Sequence, residues 1–234
     1  MSLSRYILYS SKICPFSKKV RFFMYDNQIS FEESEINFWE RSKNMLRLNP
    51  ACETPVLKDT EKGLIINDSF LICEYLRQEQ PQDNELEYSN LFGMNDKETY
   101  EIQRLHMWFD KKFFNEITNN IIYEIFIKTF NKDDKNINKN VIDASLINLE
   151  QHIKYIEHLL IKRSYLAGEY FSIADMAAAT QISILDYLGY IQWNNYSKFK
   201  DWYIKIKQKK SFSKILDDKI VGFNPNPMYK QLDF

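Results

Sequence analysis

The chain has 234 residues, enough for one large domain or two smaller ones with separate cores, and we expect two. Lysine and arginine number 31 and aspartate and glutamate 32, a formal net charge of −1, so no overall field favours nucleic acid or an anionic membrane as partner. Three widely spaced cysteines, no signal-like N-terminus and no apolar run near the roughly 20 residues of a membrane span predict a cytoplasmic protein with reduced thiols.

The first elements of the chain predict a βαβ unit. The apolar run from Arg5 to Tyr9 predicts a buried strand, and the spacing of apolar residues from Pro15 to Asp26 predicts a helix. Phe31 to Ile36 alternates as a second strand, which is parallel to the first because a helix crosses between them. Apolar positions 20 and 22–24 predict that the lysines of this helix face outward.

A cysteine lies where the first strand gives way to the helix, in the motif Cys14-Pro15-Phe16-Ser17. The positive end of the helix dipole and unpaired backbone N–H groups favour a thiolate there, and Pro15 suits the first helical position. Positive side chains nearby act in the same direction: Lys12, Lys18, Lys19 and Arg21. A buried structural cysteine is the alternative, but the strand-Cys-Pro-helix context favours a reactive thiol.

A second motif, Thr54-Pro55, follows a short irregular helix that is predicted from Phe38 to Arg47. A cis peptide bond costs little before proline, and proline at this point suits a strand start or a bend. A cis bond would leave the N–H and C=O of Thr54 open to pair with an extended peptide. An ordinary turn proline is the alternative.

A hairpin of Val56 to Lys58 and Leu64 to Ile66, joined at Lys62-Gly63, completes a mixed four-stranded sheet. Asp68-Ser69 then opens a helix that runs to Arg77. This pair is either a simple helix cap or a site for an amino-acid head group. In the second case the hydroxyl and N–H groups hold a carboxylate, and Asp68 accepts from an ammonium.

The rest of the chain predicts an all-helical domain. We expect a first domain at 1–80, a linker at 81–95 that proline and glycine interrupt, and the helical domain at 96–234. Apolar periodicity predicts helices from Asp96 to Phe130, Asn138 to Lys162, Ser172 to Tyr187, and two within Ser197 to Leu216 that break near Ser211. Ser172 to Asp175 is a capping-box pattern. The three histidines lack ligand spacing, so we assign no metal.

Four of these features together resemble the glutathione S-transferase superfamily, and they span nearly the whole chain. They are the Cys14 motif, the Thr54-Pro55-Val56 bend, the Asp68-Ser69 helix start and the Ser172 to Asp175 cap. The resemblance implies the glutathione-transferase fold: an α/β thioredoxin-like domain with a mixed four-stranded sheet that binds glutathione, and an all-α C-terminal domain that shapes the pocket for a second substrate. It also implies a homodimer, which aromatic positions on the long helix from Asp96 would suit.

The resemblance also implies roles for individual residues. Cys14 is the thiol at the sulfur position, as in cysteine-type members related to the omega class. The residues that would contact glutathione are Phe16, Arg41, Thr54, Asp68 and Ser69: the Thr54 backbone pairs with the cysteinyl amide, Asp68 and Ser69 hold the γ-glutamyl end, and Arg41 meets the glycine carboxylate. Glu53 departs from the neutral or basic residues that are common at its place.

A narrower likeness points to a different function. Several blocks resemble the bacterial FtsZ-localised protein A group of division adaptors: Phe38 to Ser42, Leu166 to Gly168, Leu185 to Gly189, Lys200 to Tyr203 and Leu232 to Phe234. Two functions therefore stay open, glutathione-dependent thiol transfer or conjugation to an electrophile, and a non-catalytic adaptor that binds FtsZ. Aromatic residues in the tail 222–234 predict that it docks, either on its own domain or on a partner.

Overall fold

The structure, a computed structural model, describes residues 4–80, 91–131 and 136–232. They form two compact units, each considered over its described residues. The first comprises Met1–Asn84 and Lys209–Val221, and the second comprises Glu85–Gln208 and Gly222–Phe234. Segment 209–221, which the sequence analysis assigned to the helical domain, thus belongs to the first unit. Of the predicted linker 81–95, residues 81–90 lie outside the described residues.

A four-stranded sheet with the order β2-β1-β3-β4 forms the core of the first unit. Its strands are β1 Tyr6–Ser10, β2 Glu32–Glu35, β3 Val56–Asp59 and β4 Leu64–Asn67. β1 and β2 are parallel, whereas β3 is antiparallel to both β1 and β4. The predicted βαβ unit, hairpin and mixed sheet are confirmed. Leu8 and Leu57, which are opposite each other in register, are both fully buried.

Side chains cap the starts of three helices of the first unit. They are α1 Pro15–Asp26, α2 Lys43–Leu48 and α3 Ser69–Gln78, and a 3-10 turn Phe38–Glu40 precedes α2. The Ser42 hydroxyl accepts from the Met45 N–H at the start of α2. Such side-chain acceptors satisfy N–H groups that have no partner within the helix. The irregular helix predicted between 38 and 47 is confirmed as the 3-10 turn and α2.

The second unit is helical, as predicted. Its helices include α4 Asp96–Met107, α5 Lys139–Leu160, α6 Ile173–Tyr187 and α7 Ser197–Lys207, and α8 Lys210–Leu216 follows within the first unit. α4 continues through π-helical segments Trp108–Thr118 and Ile122–Ile127 to Phe130. The chain breaks between α7 and α8, close to the predicted position. Among the described helices, none is long and apolar enough to cross a membrane.

α6 is buried along its whole length, as expected for a central helix. Its first turn carries the predicted capping box between Ser172 and Asp175. The Asp175 carboxylate also accepts from the Leu166 N–H at 3.0 Å and the Trp202 indole at 2.8 Å. These hydrogen bonds partly compensate for the complete burial of the Asp175 carboxylate. Burial nevertheless raises the pKa of Asp175.

The C-terminal tail packs on the helices of its own unit. Tyr229 is fully buried with its ring centroid 5.1 Å from that of Tyr187, and the Phe223 ring lies 4.7 Å from Phe126. The Tyr187 hydroxyl donates to the Phe223 carbonyl at 2.8 Å, and the Asn226 N–H donates to the Tyr187 carbonyl at 2.8 Å. The tail therefore follows the first of its two predicted alternatives. Residues 233 and 234 lie outside the described part.

Candidate functional site

Cys14 is the N-cap of α1, with Pro15 as the first helical residue. The Ser17 N–H donates to the Cys14 sulfur at 3.5 Å, and the sulfur donates to the Thr54 carbonyl at 3.2 Å. Only a protonated thiol can make the second contact, whereas the first also suits a thiolate. The side chain is buried, with 6% of the residue exposed. The site thus holds a thiol that already has both a donor and an acceptor.

Thr54 meets this cysteine from the turn before β3. The Thr54-Pro55 bond is cis, as predicted. The Thr54 carbonyl already accepts one hydrogen bond, from Cys14, and pairing of the Thr54 backbone with an extended peptide stays a prediction. The Thr54 hydroxyl is buried and has no hydrogen-bond partner among the described residues.

The lysines of α1 do not face outward, so that prediction is wrong. Lys18 is 1% exposed and Lys19 is fully buried. Of the cations expected to act on Cys14, Lys12 contacts Glu35 at 2.9 Å, and both Lys18 and Arg21 contact Asp218 at 2.8 Å. Burial lowers the pKa of Lys18 despite this partner. Sequence reasoning missed Asp218 because no local pattern links residues that are about 200 positions apart.

The start of α3 shows that Asp68 acts as a cap. One carboxylate oxygen accepts from the N–H groups of Phe70 and Leu71, at 2.8 and 3.1 Å. Asp68 is exposed and adopts a positive φ of 73°, while Ser69 is 4% exposed at the first helical position. The cap interpretation is therefore correct. Binding of an amino-acid head group by Asp68 and Ser69 stays a prediction. Both cap hydrogen bonds use the same one of the two Asp68 carboxylate oxygens.

Comparison with known proteins places this geometry in a family. The model of the glutathione S-transferase N-terminal domain matches residues 8–84. FtsZ-localized protein A of Caulobacter vibrioides is 32% identical over 241 residues, which cover 100% of both chains. The crystal structure of a glutathione S-transferase from Sinorhizobium meliloti is 31% identical, with a TM-score of 0.92 over 99% of this chain and 100% of that one. The chain belongs to the glutathione S-transferase superfamily.

A third relative covers much less of this transferase-fold chain. Glutathione S-transferase omega-1 of Rattus norvegicus is 31% identical over 75 residues, which are 32% of this chain and 31% of the relative. The likeness to this transferase is thus confined to about a third of the chain. The glutathione-transferase fold predicted from the sequence is confirmed.

The remaining predicted site residues lie on the same thioredoxin-like unit. Phe16 is half-buried in the first turn of α1, with the Lys19 ammonium 5.9 Å from its ring centroid. Arg41 is exposed and ends the 3-10 turn with a positive φ of 47°. Glu53 is exposed next to Thr54. The structure brings Cys14 and Thr54 into contact, while glutathione contacts by Phe16, Arg41 and the α3 start stay predictions.

The histidine with the most contacts is a satisfied core residue. His152 Nδ1 accepts from the Trp108 indole at 3.0 Å, so Nε2 carries the proton and donates to Glu116 at 2.8 Å. Burial lowers the pKa of His152, which keeps it neutral. Across residues 4–80, 91–131 and 136–232, no group of histidine, cysteine or acidic side chains is arranged to hold a metal ion.

Proposed function

We propose that this chain is a cytoplasmic adaptor of the glutathione-transferase fold that binds FtsZ polymers. The observation that carries the proposal is the similarity to FtsZ-localized protein A, which extends over all of both chains. By contrast, the match to the omega-1 transferase covers only 32% of the chain. Adaptor function requires only a surface, and it is compatible with a Cys14 thiol that is buried against Thr54.

We place the FtsZ contact on the 3-10 turn Phe38–Glu40 and the residue that follows it. This turn has no buried residue, and the rings of Phe38 and Trp39 meet edge to face at 5.3 Å. Phe38 and Trp39 are half-buried, and Arg41, the next residue after the turn, is exposed. Tryptophan and arginine are over-represented among residues that dominate binding energy. The tail is a poorer candidate because Tyr229 is packed inside its own unit.

We also propose a homodimer, which would give one particle two FtsZ-binding surfaces. Tyr100 and Met107 are 68% and 49% exposed, and they lie on one face of α4 because seven residues span almost two helical turns. Two weak contacts to a polymer reinforce each other once they are linked. Sedimentation velocity at tens of micromolar tests this, and a monomer of the parent protein would contradict it.

Co-sedimentation with FtsZ polymers tests the adaptor proposal. We expect Trp39→Ala to weaken the apparent affinity for the polymer at least about tenfold, since truncating a dominant aromatic typically costs 2 kcal/mol or more. Tyr170→Ala is the matched control, because Tyr170 is an exposed aromatic of the helical unit, at 56%. Both variants should unfold thermally like the parent. Undiminished binding by Trp39→Ala would exclude this surface, and no pelleting of the parent would exclude the adaptor function.

A second candidate function is glutathione-dependent thiol chemistry at Cys14. It is favoured by the position of the sulfur at the start of α1, with the Ser17 N–H directed at it. After losing its proton, Cys14 would attack the glutathione sulfur of a mixed disulfide, and the substrate would leave as a thiol after taking up a proton. A second glutathione would then release glutathione disulfide and restore Cys14. In this function Phe16, Arg41, Thr54, Asp68 and Ser69 would hold glutathione.

Titration calorimetry with glutathione separates the two functions. Loss of a hydrogen bond to a charged ligand costs about 1.5–3 kcal/mol, so Ser69→Ala should weaken binding about tenfold or more. Ser42→Ala serves as a control, because it removes the cap of α2 instead. No heat from the parent at millimolar glutathione would exclude the enzyme and leave the adaptor proposal intact.

A further inference from the structure

Segment 209–221 is attached to α1, the helix that carries Cys14, at both of its ends. At one end, Lys209 contacts Asp26 at 3.1 Å. In the middle, the Phe212 ring lies 5.0 Å from Phe22. At the other end, Asp218 reaches the first two turns of α1. All of these contacts lie within the first unit.

Asp218 forms a buried ion cluster with two cations of α1. One carboxylate oxygen accepts from Lys18 Nζ and from Arg21, and the other accepts from Arg21, all at 2.8 Å. The three residues are 6%, 1% and 4% exposed. Charges buried this deeply are weakly screened by solvent and salt, so each acts strongly on its neighbours.

Lys18 is the member of this cluster next to the cysteine. It lies four residues after Cys14, and its N–H donates to the Cys14 carbonyl at 3.0 Å in the first turn of α1. Residues four apart lie on one face of a helix. The side chains of Cys14 and Lys18 interact electrostatically. A thiolate at Cys14 acts to raise the pKa of Lys18 and thus favours its charged form.

We propose that Asp218 is a positioning residue that sets the reactivity of the Cys14 sulfur by neutralising the cations on α1. A thiolate is stabilised by nearby net positive charge. Asp218 offsets the charge of these cations, and the Cys14 sulfur donates to the Thr54 carbonyl. Loss of the Asp218 charge would leave Lys18 and Arg21 available to a thiolate.

Further ion pairs surround this cluster. Lys12 pairs with Glu35 at 2.9 Å, and Arg21 also contacts Glu33 at 3.0 Å. With Lys18 and Asp218, these ion pairs join three cations to three carboxylates, and Lys19 is a further buried cation of α1. Removal of the Asp218 charge therefore makes this neighbourhood more positive by one charge.

The proposal deepens the thiol chemistry suggested for Cys14, but its test needs neither glutathione nor FtsZ. Iodoacetamide alkylation of Cys14 is measured against pH by peptide mass spectrometry. Asp218→Asn keeps the shape of the side chain and removes its charge. We expect alkylation at pH 7 to become about tenfold faster, with its pH midpoint shifted downward, as one unscreened charge would cause. Asp217→Asn, at an exposed neighbour, should match the parent.

Two further readouts separate electrostatics from unfolding. Cys73 is fully buried, so it should stay unalkylated in a folded variant. Lys18→Met removes a positive charge near Cys14 and should slow alkylation of Cys14. The double variant Lys18→Met, Asp218→Asn should have an alkylation rate closer to that of the parent. If Asp218→Asn does not fold, the alkylation rate of Cys14 in Lys18→Met alone tests the proposal. An unchanged or faster rate in folded Lys18→Met, or an unchanged pH midpoint in folded Asp218→Asn, would overturn the proposal.

Discussion

Two buried carboxylates, one in each unit, differ sharply in how they are balanced. Asp218 of the first unit and Asp186 of the helical unit are 6% and 2% exposed. Burial acts to raise the pKa of Asp218, but Lys18 and Arg21 lower it below the ordinary value. Burial of Asp186 prevails and raises its pKa to about 6. Similar burial thus leaves the pKa of one acid below its ordinary value and the pKa of the other well above it.

The partners explain the difference. Asp218 receives three charged donors at 2.8 Å. Asp186 has the Trp193 indole at 3.0 Å and the Lys207 ammonium at 3.3 Å. Lys207 also donates to the carbonyls of Met228 and Gln231, so its hydrogen bonds are divided. A buried acid is stabilised as an anion only when cations approach closely and replace its lost hydration.

The comparison extends to the two C-terminal segments. Segment 209–221 combines apolar contacts with a buried ion cluster on α1, whereas the tail after residue 222 is held by the burial of aromatic rings. A single substitution should therefore weaken each attachment in a different way.

The largest expected effect is on the charged attachment. Asp218→Ala leaves Lys18 and Arg21 buried without their carboxylate, and breaking a buried ion pair in this way costs about 3–5 kcal/mol. Urea unfolding measures the change in the free energy of unfolding. The exposed neighbour provides the control, since Asp217→Ala should change stability by only about 0.5 kcal/mol. A small loss for Asp218→Ala would show that the cluster is hydrated.

The aromatic attachment should be slightly less sensitive. Tyr229→Ala removes a fully buried ring from the contact with Tyr187, and such truncations cost about 3 kcal/mol through lost burial and the cavity that remains. Thermal and urea unfolding measure it. Met228→Ala, at a residue that is 37% exposed, is the adjacent control. Unaltered stability of Tyr229→Ala would mean that the tail leaves its site in solution.

The smallest expected effect is on the pH dependence of stability. The contributions of Asp186 and Asp218 to the free energy of unfolding should change in opposite directions as pH rises. The folded pKa of Asp186 is about 6 against an ordinary 3.8, so its contribution to stability is full below about pH 4 and is lost as pH rises through 6. From pH 4 to 7, Asp186→Asn should therefore gain about 2–3 kcal/mol relative to the parent.

Asp218 gives the opposite expectation. Its lowered pKa contributes stability that is present above its ordinary pKa and is lost as pH falls through the folded pKa. Asp218→Asn should accordingly lose stability relative to the parent as pH rises from the acid side. Unfolding free energies of both variants across pH 3–7 test this. If the free energies of unfolding of the two variants, relative to the parent, changed in the same direction with pH, the pKa directions assigned to Asp186 and Asp218 would be contradicted.

Local sequence determined most of the architecture. The Pro15 helix start, the Lys62-Gly63 turn and the Ser172–Asp175 cap are all formed within a few residues, so their patterns are visible in one stretch of chain. The same applies to the placement of Cys14 at the start of α1. Local patterns record backbone preferences and nearest-neighbour hydrogen bonds, and these survive in the fold.

Tertiary structure decided what surrounds those elements. The lysines of α1 follow a sequence pattern that is typical of a surface. Asp218, about 200 residues away in sequence, pairs with Lys18 and stabilises its buried charge. The Thr54 carbonyl is occupied because α1 and the turn before β3 converge on it. Tyr229 is core because Tyr187 lies beneath it. Each outcome depends on a partner that is distant in sequence, and the free energy of burying a charge or a ring is set by that partner.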